Sequence, residues 1–138
     1  MKRTLLGAVI GLGLVAGCGG EQEFDGREFV DRANQSGAGI VLGEPLVSAR
    51  DDVEVYELEF TDGSATGGDG DAEHGHEDGG GSMAVAADAG AAKAEYQRCE
   101  EAVSLVCYRA ANVTLFLEAL DPAEQARIDR AIRDLASD

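Results

Sequence analysis

The chain is short of positive charge: 11 lysines and arginines stand against 27 aspartates and glutamates in 138 residues, a formal net charge of −16. That balance argues against nucleic acid as a partner, because phosphate binding draws on clustered basic side chains to release counterions. Anionic headgroups would repel the chain for the same reason. Histidine is equally scarce. Both copies, His74 and His76, lie in one acidic, glycine-rich stretch, so the rest of the chain offers no imidazole base to a serine or cysteine nucleophile. No Cys-x-x-Cys spacing is present to suggest redox chemistry. Also missing is any apolar run of the roughly 20 residues that a helix needs to cross a bilayer.

What is present begins at the N-terminus. Lys2 and Arg3 precede a stretch from Leu5 to Gly17 without a charged or strongly polar side chain, and a basic start before a short apolar core is the pattern of a secretory signal peptide. The stretch ends in Leu14-Val15-Ala16-Gly17-Cys18, which resembles the lipobox of bacterial lipoproteins, where small residues precede an invariant cysteine. This resemblance covers residues 1 to 18. It implies that the peptide is cut before Cys18, that the Cys18 sulfur carries a diacylglycerol, and that the new amine is often acylated as well. Residues 1–17 are therefore read as signal peptide and 18–23 as a lipidated tether. At roughly 0.8 kcal/mol per buried methylene, more than one acyl chain makes detachment negligible. The expected location is the extracytoplasmic side of the cell membrane or outer membrane, with the membrane itself as a partner through Cys18. Cleavage removes Lys2 and Arg3 and no acid, leaving 9 basic residues against 27 acidic ones and a mature charge of −18. Gly11-Leu12-Gly13-Leu14-Val15-Ala16 also fits a dinucleotide-binding turn, but such a turn leads from a strand into a helix, and here the lipobox follows. No cofactor is expected.

With Cys18 assigned to lipid, Cys99 and Cys107 remain as a pair in an oxidising compartment. A disulfide is expected, the alternative being two buried thiols. Closing so short a loop would restrict the unfolded chain by roughly 2 to 3 kcal/mol.

Residues 24–138 read as one small domain. Asp25 caps a first helix that runs to about Gln35, with Glu28 as capping-box partner, Phe24 stapling against Phe29, and Gly37 as the stop. Ile40-Val41-Leu42, interrupted by Pro45 and continued by Leu46-Val47, predicts an edge strand. Val53 to Phe60 predicts a strand with one side in water. Val53 and Val55 face one way and Tyr56, Leu58 and Phe60 the other, which places a bulge between Val55 and Tyr56. Residues 62–81 are rich in Gly, Asp and Glu and predict a solvated, disordered insert. A strand from Ser82 to Ala86 follows, then a helix from about Ala89 to Cys99 capped by Asp88, then strands at Val103–Tyr108 and Ala111–Glu118. The final helix combines Asp121 as cap, Pro122 at its first position, Glu124 closing a capping box, and Ile128, Ala131, Ile132 and Leu135 at helical spacing. This order predicts an α+β fold of two layers, an antiparallel sheet with helices on one face, stapled between Cys99 and Cys107.

Three places could carry chemistry. His74 and His76, flanked by carboxylates, could collect a divalent ion of the zinc, copper or nickel type, loosely, because the loop must be ordered to do so. Arg109 and Asn112, at a turn beside the bridge, could receive a small anion or a peptide carboxylate. Carboxylates are plentiful but form no evident pair, so catalysis is not expected. The leading expectation is a non-catalytic envelope lipoprotein that binds a protein partner or a small ligand. The alternative is a metal-collecting lipoprotein that works through the histidine-containing insert.

Overall fold

The computed structural model describes residues 22–61, 80–118 and 120–137. Its first element, helix α1 (Gly26–Gln35), starts where the sequence places it: the Asp25 carboxylate accepts the Glu28 N–H at 2.8 Å. The Phe24 ring meets Phe29 edge-on at 5.8 Å. Gly37, with φ of 84°, ends the helix in a left-handed turn. Ala38 N–H then reaches back to the Ala33 carbonyl and Gly37 N–H to that of Asn34, helping to satisfy the carbonyls of the last turn. The Asn34 side chain grips both the N–H and the carbonyl of Ile40, which aims the chain into strand β1 (Ile40–Leu46).

Strands β2 (Val53–Phe60) and β3 (Gly81–Ala86) come next, then helix α2 (Ala89–Glu101), strands β4 (Val106–Ala110) and β5 (Val113–Leu117), and helix α3 (Pro122–Leu135). All five strands form one antiparallel sheet in the order β1-β2-β3-β5-β4. β3 and β4 therefore run the same way on either side of β5, and α2 is the crossover between them. Asp88 caps α2 by accepting the Ala91 N–H. Asp121 caps α3 in a full capping box, accepting from Ala123 and Glu124 while the Glu124 carboxylate accepts the Asp121 N–H. The Cys99–Cys107 disulfide forms and ties the end of α2 to β4.

The helices do not share one face of the sheet. On the first face Leu58, Met83, Val85, Val113, Leu115 and Leu117 form the main core with Phe29, Val30 and Ala33 of α1 and Ile128, Ala131 and Leu135 of α3. On the second face Val53, Ala84 and Ala86 meet Ala91 and Ala92 of α2. The expected α+β class, antiparallel sheet and staple are all present; only the layer count differs, three rather than two, because α2 lies on the second face. Small side chains explain the geometry, since an alanine stripe lets α2 lie close on a sheet face that offers mostly alanine and valine.

The bulge also moves. Between β2 and β3 the register runs unbroken from Val53↔Ala86 to Leu58↔Gly81, so nothing interrupts Val55 and Tyr56. Apolar residues of both parities occur in β2 because both faces of the sheet are covered near Val53, one by α2 and the other by the main core. The irregularity lies in β1 instead, where the pairing passes from Leu42↔Leu58 to Pro45↔Tyr56. One extra β1 residue therefore separates Leu42 from Pro45. Gly43 makes this possible, because a Cβ there would lie 2.9 Å from the Glu57 Cβ and 3.0 Å from its carbonyl. Several boundaries shift slightly: β3 starts at Gly81, inside the span read as insert, β4 runs from Val106 to Ala110 rather than Val103 to Tyr108, and β5 from Val113 to Leu117 rather than Ala111 to Glu118.

Candidate functional site

The β1 bulge builds a concavity. Leu42 and Pro45 pair with Leu58 and Tyr56 and share their face. Together with Gly43, they form one wall of a cavity of about 560 Å³. Asp25, Gly26 and Arg27 at the start of α1 form a second wall, and Glu54 and Tyr56 of β2 close it. The volume falls in the range usual for ligand sites, which combine an apolar lining with a few converging polar groups. The Tyr56 ring can lie where it does because Gly26 is bare: a Cβ on Gly26 would sit 3.2 Å from that ring and 3.3 Å from the Met83 methyl.

The polar groups converge on the Tyr56 hydroxyl, which donates to Glu54 Oε2 at 2.8 Å. That bond raises the phenol above its ordinary range, burial adds to the rise, and the charges of Glu54 and Asp25 push the same way against a smaller opposing pull from Arg27. A second cavity of about 260 Å³ shares Asp25 and Glu54 and extends the acidic lining to Asp51 and Asp52. Asp52 is held by Arg50, whose Nε donates to Oδ1 at 2.8 Å. Hydrogen bonding to Arg50 lowers the Asp52 carboxyl below its ordinary value, with the charge of Arg50 as a further cause. Around Tyr56 itself, two carboxylates against one guanidinium favour a positively charged guest, with an aromatic face and the apolar Leu42 and Pro45 to receive its body.

A different charged group lies deep on the second face. Glu95 is 1% exposed, on the same helix stripe as Ala91, Ala92 and Cys99. Arg98 approaches its Oε2 to 2.6 Å and Arg50 its Oε1 to 3.8 Å. The Arg98 contact is close but poorly directed, and Oε2 makes no well-aligned hydrogen bond, so charge more than direction holds this pair. The cluster ties α2 to the loop between β1 and β2. Its signature in the sequence is a glutamate at the spacing of an apolar helix stripe with an arginine three residues on.

The expected anion site at Arg109 and Asn112 does not assemble. Asn112 is 6% exposed and its amide is engaged with the backbone: Oδ1 accepts the Phe24 N–H at 2.7 Å, and Nδ2 donates to the carbonyls of Phe24 and Ala86, both at 3.0 Å. It clamps the chain entering α1 onto the end of β3. Arg109 is exposed on β4, opposite Thr114 and on the face where α2 lies. The segment carrying Cys18 and the one carrying His74 and His76 lie outside the described residues. Among the described residues no cluster of three metal-binding side chains occurs, and no helix is long and apolar enough to cross a membrane.

The residues around Tyr56 escaped the sequence reading because they come from three distant segments that only the sheet register brings together. Compared with known proteins, the chain matches no family model, no curated protein and no solved structure.

Proposed function

We propose that this protein is a bacterial envelope lipoprotein, anchored through Cys18, whose domain is a non-catalytic binding module that receives a cationic group in the cavity around Tyr56. The observation that carries the binding role is that cavity: about 560 Å³, with Asp25 and Glu54 set beside the Tyr56 ring over Leu42 and Pro45. Among the described residues, Cys99 and Cys107 are bridged and the Asn112 amide is bound to backbone, so these side chains have structural duties. A mature charge of −18 would draw cations toward the surface before any contact forms. The lipobox-like ending at Cys18 supports the anchor.

Calorimetric titration of the protein with an aliphatic diamine tests the site. Saturable binding is expected, at least about tenfold weaker in Glu54→Gln and in Tyr56→Ala. Equal heats in all three proteins would refute it. The anchor is tested separately by the mass of the mature chain: a lipid adduct that disappears in Cys18→Ala is expected, and an unmodified secreted product would overturn it.

A further inference from the structure

Among the described residues, the second face of the sheet is only partly covered. α2 lies over β3, β5 and β4, whereas the same face of β1 and β2 carries Val41 and Leu46 beside Glu57 and Glu59, with Val55 half-buried at the border where it packs against the α2 cluster. Pairing of Val41 with Glu59 and of Leu46 with Val55 places all of them on one side. Val41 and Leu46 have opposite parity in the chain, and the β1 bulge brings them to the same face. Their exposures are 42% and 45%, and Val47, just beyond the strand, is fully exposed. Glu57 and Glu59 are also exposed.

The width of the bare strip is informative. Neighbouring strands lie about 4.8 Å apart, so two strands offer roughly the 10 Å that one helix occupies. The first face carries two helices, α1 and α3, and the second carries one, leaving room beside α2 for another. Addition of a strand at the β1 edge is disfavoured by Pro45 and the bulge, which interrupt the ladder. Charge selects among possible helices. A second copy of this chain would bring its own Glu57 and Glu59 to the contact. The chain's segment 62–79 carries six acids and no lysine or arginine, so it too meets repulsion there.

We propose that the bare strip over β1 and β2 docks an amphipathic helix of a partner protein, with an apolar stripe seated on Val41, Leu46 and Val55 and flanking lysines or arginines paired with Glu57 and Glu59. The surface is separate from the cavity around Tyr56, which opens on the opposite face.

The test uses the full chain held in phosphatidylcholine nanodiscs and a labelled synthetic peptide of about four helical turns. The peptide has leucines at helical spacing and lysines on both flanks, and a scrambled peptide of equal composition serves as control. Fluorescence anisotropy is expected to show saturable binding of the patterned peptide that falls at least about tenfold with V41S/L46S, and again with E57K/E59K. The control is expected to bind weakly, and Tyr56→Ala is expected to leave the affinity unchanged. All four altered side chains on the strip are exposed, so both double variants should keep the fold, as thermal melts would verify. Absence of saturable binding, equal binding of the scrambled peptide, or indifference to both double variants would overturn the proposal. So would self-association of the chain that L46D abolishes, because the occupant would then be a second copy.

Discussion

The two sides of the sheet differ in what holds them. The β3–β5–β4 side is covered on both faces, bridged between Cys99 and Cys107, and clamped at the β4–β5 turn by Asn112. The β1–β2 side has α1 on one face, cover on the other only near Val53, a bulge in its edge strand, and Glu54 and Tyr56 of the open cavity. Stability and recognition are thereby divided: one side carries most of the buried apolar contacts, the bridge and the Asn112 clamp, and the other carries exposed charge and open surface. Binding sites commonly sit on the less stable part of a fold, because groups held for a ligand are not optimised for packing.

The sharpest way to break that contrast is to weaken the strong side. Asn112→Ala removes three hydrogen bonds at a buried position and leaves the Phe24 N–H and two carbonyls without partners, so a loss of about 2 to 4 kcal/mol is expected in denaturant melts. A loss under about 0.5 kcal/mol would mean that water replaces the amide readily. Removing the bridge with C99S/C107S is expected to lower stability by about 2 to 3 kcal/mol while leaving far-ultraviolet circular dichroism unchanged.

Disturbing the other side should matter less to the whole. Gly43→Ala places a methyl against Glu57, and a loss of about 1 to 2 kcal/mol is expected, confined to β1 amides in hydrogen exchange and accompanied by weaker diamine binding. An equal loss of protection in β5 would show that the two sides unfold as one. The smallest effect concerns alkaline pH. Burial raises the Tyr108 phenol to about 12, with the nearby Asp129 carboxylate on α3 as a further cause. A folded pKa above the unfolded value of about 10 means that this contribution is complete below pH 10 and is lost as pH climbs through 12. With no tryptophan in the chain, tyrosinate absorbance reports its three tyrosines, and the Tyr108 share is the difference from Tyr108→Phe. Tyr108→Phe is expected to flatten the decline in stability above pH 10, and an unchanged decline would refute the assignment.

Local chemistry was the most legible part of the sequence. Asp25, Asp88 and Asp121 cap the helices they were expected to cap, Gly37 stops α1, and the even pair of cysteines joins. These features depend on neighbours within a few residues, or on parity. The layer count was not legible, because an alanine-rich helix such as α2 has no strong apolar stripe to say which face it seeks. The mixed parity of Val53, Val55, Tyr56, Leu58 and Phe60 held the clue that both faces are covered, and it was read instead as a bulge. The backbone partners of Asn112 were illegible for a related reason. Its partners Phe24 and Ala86 lie 88 and 26 residues away, and only the folded chain brings them to its amide.

Site-resolved hydrogen exchange of the native protein measures the division most directly. If one side is built for stability and the other for recognition, amides of Val41 to Leu46 should exchange at least about a hundredfold faster than those of Val113 to Leu117, through an opening that does not involve the bridge. Protection that is uniform across all five strands, lost together with global unfolding, would contradict that division.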